Sequence, residues 1–143
     1  MQESWRFDPA PFRSVSLFRA CNDEELTRVA AVVCRVRLPA GSLLSSPAKP
    51  NAALVFVIEG HVEVVREGRV IDRLGPGDHL GARSLLRTEP HPLTVVALDD
   101  VVLDRLAADD FRQLLTDEPA LVWPLLQSLA GHIDDRLPLE VPR

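Results

Sequence analysis

Between residues 34 and 107 the hydrophobic period is two, and turn residues interrupt it every few positions. CRVRLPAG alternates up to the turn Pro39-Ala40-Gly41. ALVFVIEG is a dense β-branched and aromatic run, which predicts a buried strand. HVEVVREGRVIDRL predicts a hairpin with Glu67-Gly68 at its tip, because glycine accepts the positive φ of a two-residue turn. LTVVALDDVVLDRL predicts two more strands around Asp99-Asp100. Short strands with turns at close, regular intervals indicate a β-sandwich or barrel.

Helical periodicity flanks this region. CNDEELTRVAAVV predicts a first helix, capped by Asn22 or Asp23, with Leu26, Val29, Ala30 and Val33 on one face. AADDFRQLL predicts another, capped by Asp109 or Asp110. A last helix carries Leu121, Leu125, Leu129, Ile133 and Leu137 at a spacing of four; Pro124 marks its start or a kink, and Gly131 weakens it. Residues 1–16 are expected to form an arm, since Asp8, Pro9 and Pro11 break any helix. Trp5, Phe7 and Phe12 are too apolar for a solvated tail, so the arm should dock. The organisation expected is an arm (1–16), one domain (17–137) and a short tail (138–143), mainly β with flanking α.

A chain of 143 residues is long enough for one real core. Its net charge of −5 disfavours nucleic acid and anionic membrane as partners. No run approaches the ~18 apolar residues of a membrane span, and MQESWRFDPAPFRSVS lacks the features of a signal peptide. A cytoplasmic location is expected, with Cys21 and Cys34 as free thiols. His61, His79, His91 and His132 include no H-x-H pair, so the metal site of a cupin, another small barrel, is not expected. Ser45-Ser46 has no nearby histidine or glycine-rich elbow. The acidic pairs Asp99-Asp100, Asp109-Asp110 and Asp134-Asp135 fall at a turn, a helix cap and a helix end. Neither enzymatic activity nor a cofactor is expected.

SLFRACNDEELTRVAAVVCRVRLPAG, VFVIEGHVEVV, LGPGDHLG and DDFRQLLTDEPAL follow one another in an order and spacing that resemble the cyclic-nucleotide-binding domain. The resemblance covers roughly residues 17–137. This is the sensory module of catabolite-activator-type regulators, regulatory kinase subunits and gated channels. It implies a β-roll or jelly-roll barrel of about eight strands, with an N-terminal helix and two C-terminal helices.

The family's phosphate-binding cassette has a glycine-glutamate pair, a helical turn, a proline-arginine pair and T-V-x-A. The glutamate binds the ribose 2′-hydroxyl and the arginine binds the cyclic phosphate. Aligning Thr94-Val95-Val96-Ala97 on T-V-x-A puts Gly81-Ala82 on the first pair and Pro90-His91 on the second. Ser84-Leu85-Leu86 keeps the small residue and apolar pair of the helical turn. Ala82 offers no acceptor, and a neutral imidazole at His91 lacks the permanent charge and fork of a guanidinium. Losing two hydrogen bonds to charged groups removes about 3–6 kcal/mol, or ~10²–10⁴ in affinity.

The residues that this resemblance nominates are Gly81, Ala82, Arg83, Ser84, Leu85, Arg87, His91 and Thr94. The leading expectation is a stand-alone regulatory or protein-interaction domain with weak or lost binding of cAMP and cGMP. The alternative is a sensor of a cyclic nucleotide or another small anion, held by the N–H groups of Gly81–Leu85 with Arg83, Arg87 or His91. Val122, Leu126, Leu129 and Ile133 suit a helix seam, so a homodimer or protein partner through the last helix is expected; packing on the chain's own barrel accounts for them almost as well. In the regulators that helix leads to a helix-turn-helix; here LPLEVPR follows, so no DNA-reading element is expected.

Overall fold

The computed structural model describes residues 9–46, 52–87 and 93–136, with the backbone alone for residues 87 and 132–136. Among the described residues, eight antiparallel strands form two four-stranded sheets. In one, the spatial order is β1 (Cys34–Leu38), β8 (Val101–Ala107), β3 (Ala53–Glu59) and β6 (His79–Leu80). In the other it is β2 (Leu43–Ser45), β7 (Thr94–Ala97), β4 (Val62–Arg66) and β5 (Arg69–Leu74). Only the β4–β5 hairpin stays within one sheet; every other link between successive strands crosses to the opposite sheet. This is the expected jelly roll, and Glu67-Gly68 forms the hairpin tip with φ of 51° and 79°.

The alternation of β3 builds two cores. Val55 and Val57 face the space between the sheets, with Val62, Val64, Val95 and Leu103. Leu54 and Phe56 face the helices α1 (Asp23–Ala30), α2 (Ala82–Arg87), α3 (Ala108–Asp117) and α4 (Val122–Arg136). α1 is set by a capping box: the Asn22 side chain accepts from the Glu25 N–H at 2.8 Å, and Glu25 accepts from the Asn22 N–H at 2.7 Å. Its predicted face, Leu26, Val29 and Ala30, is buried, as is Val33 just beyond it.

Across the β1–β8 ladder, Arg35 stands opposite Asp104. Its guanidinium donates from Nε and Nη2 to the two carboxylate oxygens at 2.7 and 3.0 Å. Both side chains are nearly buried, at 13% and 12% exposure, so the pair fixes the strand register as well as two charges.

Three expectations need correction. Pro9 and Pro11 do not end helical structure: a 3-10 turn runs Ala10–Ser14 with proline at its start, where a fixed φ fits and the missing N–H costs nothing. Phe12 in that turn is buried, edge-on to Phe18 at 5.3 Å and to Phe56 at 4.8 Å, so this stretch docks as part of the core. Trp5 and Phe7 lie outside the described residues. Asp109 and Asp110 do not cap α3; its N-cap is Ala107, and the two carboxylates sit in the first turn, where they complement the helix dipole. α4 starts before Pro124, which falls in its first turn, after a 3-10 turn Pro119–Leu121. Strands β2 and β6, three and two residues long, carry too little alternation to be recognised from sequence.

Candidate ligand site

β6 pairs with β3, Leu80 opposite Val55, and so delivers the chain to Gly81 beside the start of β3. Gly81 has φ of +98°, and a Cβ there would lie 2.1 Å from the Ala53 carbonyl oxygen. Only glycine fits both the conformation and the contact. α2 follows at once, with the Ser84 N–H donating to the Gly81 carbonyl at 3.0 Å. Ser84 is the third residue of α2 and is buried. Leu85 is buried in the helical core with Phe12, Phe56 and Leu106.

Beyond α2 the chain re-enters at Leu93, which is buried between the sheets, and at Thr94, half-buried on β7 opposite Val65. His91 lies outside the described residues, as does the side chain of Arg87. The structure therefore places Gly81, Ala82, Ser84 and Leu85 at the β6–α2 junction and the start of α2, and Thr94 at the start of β7.

Between the sheets, behind this segment, is a cavity of about 20 Å³. It is lined by eight aliphatic residues, Val55, Val57 and Leu80 among them, and by Ser45. The Ser45 hydroxyl is already engaged, donating to the Leu93 carbonyl at 3.1 Å. Such a space holds about one water molecule, whereas ligand pockets run to roughly 300–1,000 Å³. No charged side chain of the described residues lines it.

Arg83 does not face this cavity. With Ala82 and Leu86 it lines a separate cleft on the outer side of α2, against Val15, Ser16 and Leu17 of the N-terminal segment, His79 of β6 and Leu129 of α4. Burial lowers the proton affinity of His79, with Asp78 opposing the shift. One cation escaped sequence reasoning: Arg105 on β8 stands opposite Val55, on the strand parity of Val101 and Leu103, which face the space between the sheets. Its signal was the alternation in VVLDRLA, where Asp104 and Arg105 take opposite faces.

A second polar cluster fastens the barrel's turns. The Asp99 carboxylate accepts from the His61 N–H at 2.6 Å and lies 2.9 Å from His61 Nδ1. The hydrogen bond from the His61 side chain, with that from its backbone, holds the Asp99 carboxyl below the usual carboxylate range. Among the described residues no three His, Cys, Asp or Glu side chains group as metal ligands, and no helix is long and apolar enough to cross a membrane.

Comparison with known proteins identifies relatives of this arrangement. The sequence model of a family described as the cyclic nucleotide-binding domain matches residues 35–118. An NTE family protein of Mycobacterium tuberculosis is 30% identical over 132 residues; these make up 92% of this chain and 23% of that protein, so the chain spans about a quarter of the relative's length. The N-terminal domain of a transcriptional regulator from Streptomyces coelicolor superposes with a TM-score of 0.78 at 27% identity, over 93% of this chain and 99% of that one. The regulatory domain of Toxoplasma gondii PKA, solved with cAMP, superposes with a TM-score of 0.66 at 25% identity, over 76% and 43% of the two chains.

Proposed function

The chain belongs to the cyclic nucleotide-binding domain family, and from that premise we propose that it is a regulatory and protein-interaction module whose grip on cAMP and cGMP is weak or lost. The observation that carries this reading is the conjunction at the cassette. Gly81 and α2 suit the glycine and helical turn of the family's cassette, the alignment puts Ala82 at the family's ribose acceptor, and the space between the sheets is lined by aliphatic residues and Ser45 and measures about 20 Å³. A cyclised ribose phosphate would have to open that space with no acidic anchor for its sugar. The alternative, an anion sensor built on the cassette N–H groups, draws no support from Arg83, which lines the outer cleft.

The module acts by binding rather than by catalysis. Its interaction face is α4, where Val122, Trp123 and Leu126 are exposed at 37%, 66% and 50%. A second copy or a protein partner covers this apolar stripe. The expected location is the cytoplasm.

Titration calorimetry with cAMP and cGMP tests the binding claim. The expected result is no saturable heat up to roughly 100 μM ligand, about two decades weaker than a micromolar site. A dissociation constant near or below micromolar would overturn it. Sedimentation of the wild type and Leu126→Glu tests the interaction face: a self-association that the substitution leaves untouched removes α4 from it.

A further inference from the structure

We propose that the cleft between α2 and α4 is a ligand site in its own right, taking a small amphipathic organic anion with its carboxylate on Arg83. The cleft has a volume of about 200 Å³ and is separate from the cavity between the sheets. Its walls are mostly apolar, with Val15 and Leu17 from the N-terminal segment, Ala82 and Leu86 from α2, and Leu129 from α4; Ser16, His79 and Arg83 complete the lining. Leu86 is 42% exposed at the mouth, an apolar group that a ligand would cover.

Charge decides the ligand class. Arg83 is exposed, and among the described residues it has neither a hydrogen-bond nor an ion-pair partner. Ala82 beside it brings no carboxylate to compete. His79 is half-buried with its ring against Phe56, 5.9 Å between centroids, and burial favours its neutral form. The cation of the cleft is therefore Arg83, a planar fork matched to a carboxylate. The volume is about ten times that of the cavity between the sheets, room for an aromatic or short aliphatic monocarboxylate. Because the walls come from α2 and α4, an occupant would link the cassette to the helix proposed as the interaction face.

The test is an amide-resolved NMR titration with benzoate and its uncharged isostere benzamide, up to about 20 mM, a range set by the few atoms of such ligands. Benzoate should shift the amide signals of Leu17, Arg83, Leu86 and Leu129. Benzamide should bind about tenfold more weakly, the worth of one charged hydrogen bond. Arg83→Gln, an exposed substitution that leaves the core intact, should weaken benzoate by about tenfold and leave benzamide unchanged. Absence of shifts at these four amides, equal binding of acid and amide, or an unchanged benzoate affinity in Arg83→Gln would each overturn the proposal. These outcomes leave the calorimetry with cyclic nucleotides untouched, since the two experiments report on different cavities.

Discussion

Replacing Gly81 by alanine should be one of the most damaging methyl additions the molecule can receive. Two costs combine. At φ of +98° an L-residue sits in a region that costs about 1–3 kcal/mol. The added Cβ would also lie 2.1 Å from the Ala53 carbonyl oxygen, so β3 or the β6–α2 junction must move by roughly 1 Å. Together these give about 3 kcal/mol. For 143 residues the unfolding entropy is about 0.3 kcal/mol/K, so the melting temperature should fall by about 10 °C. Gly77→Ala supplies the control. Its φ of +94° carries the same backbone cost, but a Cβ there meets nothing within 4 Å. That variant should lose only about 1 kcal/mol, or about 3 °C. Differential scanning calorimetry of both variants measures the difference. Equal losses would refute the argument that close approach to β3, rather than backbone conformation alone, demands glycine at 81.

Asp104→Leu should lose about 3 kcal/mol by leaving the Arg35 guanidinium buried without its carboxylate, and the double variant Arg35→Met/Asp104→Leu should recover most of it, as read by urea unfolding. The Asp99 carboxyl has a lowered folded pKa, so its contribution is fully present above the usual carboxylate range and disappears as pH falls through the folded value. Thermal melts of wild type and Asp99→Asn should therefore differ at pH 6 and converge as the pH falls below the usual carboxylate range; a gap that stays constant on acidification contradicts the assignment. Burial, with Glu25 adding to it, pushes the Cys21 thiol up to about 11, so iodoacetamide at pH 8 should leave it unmodified in the native protein and alkylate it after unfolding, as peptide mass mapping would show.

Much of this molecule was legible in its sequence, for reasons that differ by element. The β4–β5 hairpin and the α1 capping box are written in adjacent residues, Glu67-Gly68 and Asn22 to Glu25, so local chemistry specifies them. β6 has only two residues, and its place depends on pairing with Val55 and Phe56, a contact no local pattern encodes. Proline led the N-terminal reading astray because a 3-10 turn accepts it at the start, and what recruits that turn is the distant Phe56. At the site, the glycine and the helical turn followed from the resemblance to the family's cassette. The direction of Arg83 could not, because the outer cleft exists only once the N-terminal segment and α4 have packed beside α2. Arg105 was passed over because strand parity, not a motif, puts it on the barrel-facing side.

The crossing connections have a consequence for synthesis. Among the described residues β1 pairs with β8 alone, and its partners are far away in the chain: Arg35 and Asp104 are 69 positions apart. On a ribosome adding ~5–20 residues each second, β1 stays without its neighbour for roughly 3–14 s. Its Cys34, Val36 and Leu38 would remain uncovered throughout, an interval in which a chaperone or a wrong strand has time to reach them first.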